Sequence, residues 1–282
     1  MKIVLAAVLA LPIPGLLFAE ETSSFRAYVD SDICARLMLG PVTPTRVECS
    51  QRTAKEGAHS VLVRLSNNMV LTPNDEKPIR PLVGQVVQVS GELKASNGTV
   101  KMASAEPINA TSVPPGDPDR RLLDPHIYKN DQSAQLYQQI RFQLARLPYV
   151  TDYDYISFTV TGREVVLTGW TIRDVNRSSA VNLVENLPGV GSVINNIEWI
   201  PLSNDDNNIR YQARVQLRQK LPNYFSNGAS DIRIIVKNAT VVLVGVVANR
   251  ADFDTAYREC NQLPWVGKVF NMLQIRPATF GQ

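Results

Sequence analysis

Residues 165–169 read VVLTG, and residues 241–245 read VVLVG. A five-residue phrase recurs by chance, so its flanks decide the matter. Shifting the first copy by 76 positions lays Gly169 on Gly245, Leu187-Pro188 on Leu263-Pro264, Val190 on Val266, Val193 on Val269 and Asn195 on Asn271. Upstream, Ile156, Phe158 and Val160 fall on Ile232, Ile234 and Val236, and Leu147-Pro148 meets Leu221-Pro222 with a shift of 74. The chain therefore repeats one folding unit of roughly 75 residues.

Each unit spells the same element order. In the first, Leu136, Ile140, Leu144 and Leu147 recur at helical spacing behind a candidate cap at Asp131 or Ser133, and Pro148 ends the run. Two short strands follow, YISFTV and EVVLTG, then a helix over about 174–187 stopped by Pro188-Gly189, then the strand SVINNIEWI. The order is αββαβ, and two amphipathic helices need the apolar face of a three-stranded sheet to cover their stripes. The units span 131–201 and 206–277. This order, with Gly after VVLT or VVLV and with LPGV or LPWV before the last strand, resembles the BON family over both copies. Gly169 and Gly245 match the glycine that the family carries at the end of its second strand. Trp265 departs from the first copy, which has Gly189 there.

The chain opens MKIVLAAVLALPIPGLLFAEE. One Lys, an apolar run and the small Ala19 before Glu20-Glu21 read as a signal peptide over 1–19. The competing reading is an uncleaved anchor, and Pro12, Pro14 and Gly15 weaken a span there. What remains suits two or three small domains. Charge is uneven: residues 20–119 carry 10 basic and 12 acidic side chains, residues 122–201 carry 6 and 8, and residues 202–282 carry 10 and 6. The second unit is the electropositive end, which biases it toward anionic partners.

Residues 22–108 read as all-β. SVLVRL, NMVLTP, GQVVQVSGEL and TVKMASA are rich in β-branched residues, with turns at Asn67-Asn68 and Asn97-Gly98. Several short strands in so few residues suit a small OB-like barrel. Cys34 and Cys49 lie in this part, and export permits disulfides. The order SDIC, VECSQRTAKEGAHSVLV, VGQVVQVSGEL resembles a small exported bacterial barrel domain of uncharacterised function, whose pattern has a further Cys where this chain has Thr53. That resemblance favours a Cys34–Cys49 disulfide over a metal site. Residues 109–130, with Pro114, Pro115, Pro118 and Pro125, form a linker or a draped extended segment. The fold class is thus α+β: a barrel followed by two αββαβ sandwiches.

Little here points to catalysis. His59 and His126 lie in different regions, and no nucleophile-elbow, phosphate-loop or HExxH motif occurs. The pairs Asp152/Asp154, Asp205/Asp206 and Asp252/Asp254 read as turn or helix-start carboxylates. Cys260 falls on Val184 of the first copy and reads as a buried small hydrophobe. No cofactor or metal is expected. One surface is suggestive: Arg210, Arg214 and Arg218 follow one another at four-residue spacing beside Tyr211 and Val215. Such a stripe suits anionic headgroups, and Trp265 adds a candidate interfacial anchor. The bland alternative is a solvated helix face. The BON resemblance implies a non-enzymatic envelope module in the periplasm that associates with phospholipid or another envelope component. The competing function is a scaffold that docks an envelope protein through the barrel or a sheet edge. Nucleic acid is disfavoured by export, by the acidic balance of the barrel and by its few strand aromatics.

Overall fold

The computed structural model describes residues 22–94, 96–124, 134–226 and 229–277. Residues 1–19, His126 and the candidate cap residues Asp131 and Ser133 lie outside the described residues.

The N-terminal unit is a closed barrel of order β1-β2-β3-β5-β4, from β1 (Thr22–Ser31), β2 (Ser60–Arg64), β3 (Val70–Pro73), β4 (Val86–Lys94) and β5 (Thr99–Pro107). Its interior is lined by Phe25, Ala27, Val29, Leu62, Leu71, Val87, Val89 and Val100. Gly91 marks a bulge in β4, where a Cβ would meet the Lys101 carbonyl oxygen at 2.4 Å.

The all-β reading of this region needs correction. Two helices, α1 (Asp32–Leu37) and α2 (Pro44–Lys55), are inserted between β1 and β2. Thr43 caps α2 by accepting from the Arg46 N–H, with Pro44 at the first helical position. The inner face of α2 is polar: Arg46 and Asp30 form a buried ion pair at 2.8 Å, and Ser50 donates to Asp30. The Cys34–Cys49 disulfide joins the two helices with a Cα–Cα distance of 6.1 Å. Thr53 lies against it, its hydroxyl 3.4 Å from Cys34 Sγ.

The described part of the proline-rich segment is draped over the barrel. Arg26 holds Asp117 and Asp119 at 2.7 and 2.9 Å. The one-turn helix α3 (Arg120–Leu123) buries Leu122, whose carbonyl accepts from the Val42 N–H at 2.8 Å.

The two repeats share one topology. The first contains α4 (Ala134–Leu144), β6 (Tyr155–Thr161), β7 (Glu164–Thr171), α5 (Asp174–Glu185) and β8 (Ser192–Trp199). The second contains α6 (Asn204–Lys220), a short β9–β10 hairpin (Phe225–Ser226, Ala229–Ser230), β11 (Ile232–Lys237), β12 (Thr240–Val247), α7 (Arg250–Asn261) and β13 (Lys268–Ile275). In each sheet the middle strand pairs antiparallel with the first and parallel with the last. The register agrees as well. Gly169 sits opposite Ile156 and Ile197, and Gly245 opposite Ile232 and Leu273. The two extra residues of the second copy fall in the stretch that holds the hairpin.

One face of each sheet takes the helices. Leu136, Ile140, Ala180 and Val184 pack on Val160, Val165, Leu167 and Ile197. Ile209, Ala213, Leu217, Ala256 and Cys260 pack on Ile234, Val236, Val241 and Leu243. The opposite faces meet each other and α1: Trp170, Ile235, Val242, Val244 and Phe270 cluster with Ile33 and Ala58 of the barrel unit. Burying both faces explains why VVLTG and VVLVG are nearly continuous apolar runs and lack the alternation of a half-exposed strand.

Candidate functional site

Helix α6 carries the residues singled out by spacing. Ser203 caps it by accepting from the Asp206 N–H, Asp205 and Asp206 occupy its first turn, and Arg218 and Lys220 its last. That charge order complements the helix dipole. Ile209, Ala213 and Leu217 face the sheet.

The three arginines do not form a common free stripe, which corrects the expectation from spacing. Arg210 is 2% exposed; it donates to the Val236 carbonyl at 2.5 Å and to Asn207 at 2.7 Å. Burial pushes its pKa down, against the pull of Asp206, Tyr153 and Asp154. Arg214 donates to Asp152 of the first repeat at 2.5 Å, and that bond raises its pKa. Arg218 is exposed. Successive residues on a helix turn by about 100°, so a four-residue spacing drifts by about 40° per step and about 80° from Arg210 to Arg218. The start of the row therefore turns into its own domain, the middle meets the interface with the first repeat and the end reaches solvent.

Asp152 organises that interface. Besides Arg214 it takes the Ser230 hydroxyl, while its carbonyl accepts from the Ile234 N–H at 2.7 Å; Arg233 bonds the Thr151 carbonyl at 2.9 Å. The neighbouring Asp154 is 1% exposed and holds Thr151, Thr171 and the Ile172 N–H. Asp206 accepts from the Asn238 and Ala239 N–H groups, and Asp252 from its cap residue Asn249 and from Tyr224. Four of the six paired carboxylates named above, Asp152, Asp154, Asp206 and Asp252, thus sit in turns or first helical turns and are tied to structure.

Outward on α6 stand Tyr211, Val215 and Arg218, the first two 68% and 45% exposed. Trp265 is 67% exposed at φ +65°, where the first copy has Gly189 at φ +97°. A left-handed conformation costs a tryptophan about 1–2 kcal/mol, and here no burial offsets it. Its loop adjoins the first turn of α6, because the Gly267 N–H bonds Ala239, which bonds Asp206. Arg218 lies about 18 Å further along the helix. Trp265 and Arg218 therefore lie near opposite ends of α6 rather than touching. Spacing did not single out Tyr149, which follows Leu147-Pro148, is 64% exposed and also has a positive φ, +64°.

A second place gathers polar groups from three units. A cleft of about 490 Å³ is lined by Asp32 and Arg36 of α1, His59, Ser60, Glu76, Glu198 of β8 and Lys237 of β11. Glu198 bridges Arg36 at 3.1 Å and Lys237 at 2.5 Å, tying all three units together. Burial alone would raise its carboxyl; Arg36 and Lys237 more than offset this, and its pKa is lowered. Burial raises the Asp32 carboxyl. His59 Nδ1 lies 3.1 Å from Glu76, whose other oxygen takes the Ser60 N–H at 2.6 Å. The sequence placed no site here, because its parts lie far apart in the chain. The cleft brings an imidazole near carboxylates. Among the described residues, however, no hydroxyl or thiol is bonded to His59, and no group of three or more His, Cys, Asp or Glu is placed to hold a metal ion.

Cys260 is fully buried, and burial pushes its thiol up to about 12. Among the described residues no helix is long and apolar enough to cross a membrane.

Comparison with known proteins bears on the back half. The BON domain family matches residues 132–201 and 211–277. No curated protein sequence matches the chain. Two solved structures of CdsD, a structural protein of the type III secretion system of Chlamydia trachomatis, align at 13% identity with a TM-score of 0.22. One is its C-terminal domain, covering 52% of this chain and all of that one; the other covers 51% and 94%. A TM-score that low carries neither architecture nor role across. The matched BON domains and the disulfide point to an envelope protein. Both matched segments coincide with the duplicated αββαβ units, so residues 132–201 and 211–277 are two tandem BON domains preceded by a β-barrel.

Proposed function

We propose that this is a non-enzymatic periplasmic protein, exported through residues 1–19, that docks on anionic phospholipid or a similar envelope surface through the second BON domain. The observation that carries this is the outward face of α6: Tyr211 and Val215 stand exposed beside Arg218. Large apolar side chains beside cations are what an interfacial helix needs, each near-surface cation adding about 1 kcal/mol. The net charge of residues 202–282 supports it, with 10 basic against 6 acidic side chains. Trp265 supplies a second aromatic contact at the other end of the domain. Arg214 serves the repeat interface and Arg210 is buried within its own domain in this reading.

The scaffold reading has less support. The open sheet faces are buried against each other. The Asn196 side chain of the edge strand β8 bonds Val70 and Asn68 of the barrel, and the Ile234 N–H of the edge strand β11 bonds the Asp152 carbonyl. Vesicle flotation of the mature chain tests the proposal. Binding should require anionic lipid, and Arg218→Glu with Val215→Asp should reduce it about tenfold or more. Undiminished binding by that double variant would sink the reading.

A further inference from the structure

One sheet edge of the first BON domain opens into a groove. Strand β8 ends its sheet, whose order is β6-β7-β8. The Ile200 N–H, just past β8, bonds Thr171 of β7 at 2.8 Å. The Ile197 N–H, of the opposite parity, is met instead by Asn195 Oδ1 of its own strand at 3.0 Å. An edge strand presents every second residue's N–H and C=O outward, so the backbone groups of Val193, Asn195, Ile197 and Trp199 form the outward row. The bonds from Asn196 to the barrel are made by its side chain and leave that row to the groove.

The groove has a volume of about 730 Å³ and follows β8 from Val193 to Trp199, about 20 Å at the rise of a strand. Helix α5 walls one side through Arg177, Ser178, Val181 and Asn182, and the barrel walls the other through Thr72 and Asn97. Ser178, Asn182, Asn195, Thr72 and Asn97 are all exposed, so an incoming chain reaches both walls. The second BON domain shows the same edge tied shut. There Asn271 covers the Leu273 N–H at 3.3 Å, and its amide also donates to the Phe253 carbonyl of α7 at 2.8 Å. In the first domain Arg177 stands where Phe253 does, turned to Asp174, and among the described residues no bond ties Asn195 to α5.

The walls define the occupant. A row of outward N–H and C=O groups between a helix and a barrel turn is completed by one extended chain. The charges along the groove are matched within this protein, Arg36 with Glu198 at 3.1 Å and Arg177 with Asp174 at 2.7 Å. A charged strand therefore finds no counter-ion there. Side chains of an added strand alternate: one set meets Val181 and Val193 on the helix side, the other Thr72 and Asn97 on the barrel side. We propose that β8 receives an uncharged extended segment of another envelope protein as the fourth strand of the first BON sheet, with alternate apolar side chains against α5. The groove continues the barrel–β8 interface and shares no residue with the outward face of α6. This second contact stands or falls independently of lipid docking.

Selection of random heptapeptides displayed on phage against the mature chain tests it, with the selected peptides then synthesised and titrated by fluorescence anisotropy. Saturable binders are expected, with apolar residues at every second position and without Lys, Arg, Asp or Glu. N-methylation of one alternate set of backbone amides should weaken such a peptide about tenfold or more, and methylation of the other set less than about twofold, because only one set faces β8. Asn195→Pro deletes an outward N–H and spares the ladder to β7, a change that an edge strand accepts. Ser178→Trp fills the groove from an exposed position on α5. Each should weaken binding about tenfold or more, with thermal unfolding to show that each folds. Should Asn195→Pro fail to fold, Ser178→Trp decides the matter. Ser178→Trp should float with anionic vesicles like the parent, and Arg218→Glu should bind the peptides like the parent. The proposal is overturned if no heptapeptide binds saturably, if both methylated sets bind alike, or if the folded variants bind undiminished. Sedimentation that shows a dimer of this chain dissociated by Ser178→Trp would assign the groove to a second copy and overturn it as well.

Discussion

Substituting Gly169 by Ala puts a methyl group where the fold has no space. A Cβ there would lie 1.8 Å from the Tyr155 carbonyl oxygen and 2.8 Å from its carbon, at φ +120°. Ordinary contacts begin at 3.4 Å, so β6 must retreat from β7 by more than about 1 Å, and the pairings of Ile156 with Gly169 and of Tyr155 with Trp170 suffer. Backbone strain contributes about 1–3 kcal/mol. Two weakened ladder bonds add about 1 kcal/mol each, and the sum is about 3–5 kcal/mol. For a chain of this size that lowers Tm by about 5–10 °C. Gly245 has the same surroundings, with Asp231 O at 1.8 Å and φ +136°, so Gly245→Ala should cost a similar amount. Gly162 is the control. Its φ is +57° and nothing lies within 4 Å of its would-be Cβ, so Gly162→Ala should cost only about 1 kcal/mol. Equilibrium denaturation of the three variants makes the comparison. If Gly169→Ala is as mild as Gly162→Ala, close strand approach is not why glycine stands there.

Asp152→Ala removes the shared partner of Arg214 and Ser230, and denaturation should show a loss of about 1–2 kcal/mol, modest because Arg214 is 42% exposed. By contrast Arg218→Ala should leave stability within about 0.5 kcal/mol. Native protein should offer no thiol to a disulfide-exchange reagent at pH 8, and one after denaturation, since Cys260 is buried with its thiol pushed up to about 12 and Cys34 and Cys49 are joined. The Glu198 carboxyl is lowered in the fold, so its contribution is present above a free glutamate's 4.5 and is lost as pH falls through the lower folded value. Acid titration followed by Trp170 fluorescence should show the junction loosening below about pH 4.5, a step that Glu198→Gln removes.

The duplicated fold was legible because its signals are local and repeat: the same apolar strand, the same glycine and the same Leu-Pro stops recur at a fixed shift. The helices of the barrel unit were hidden by their own chemistry. The inner face of α2 carries Arg46, Ser50 and Thr53, buried because Asp30, Ser31 and one another satisfy them, so no apolar period announces the helix. Its Thr43-Pro44 start was the available signal. Helical spacing alone put the three arginines in a row. Which of them reach solvent depends on the 151–154 turn of the other repeat, about 60 residues away in the chain. The junction cleft was beyond reach for a similar reason, since its walls come from three units.

The central claim is that the outward face of α6 meets an anionic envelope surface, and one measurement addresses it most directly. Val215→Cys introduces one accessible thiol into a chain whose own cysteines are paired or buried, so a polarity-sensitive dye can be placed there alone. Adding vesicles that contain anionic lipid should shift the emission of that dye to the blue, while the same dye on Ser104→Cys, an exposed position on the barrel, stays unchanged. An unmoved spectrum at position 215, or an equal shift at position 104, would contradict the account.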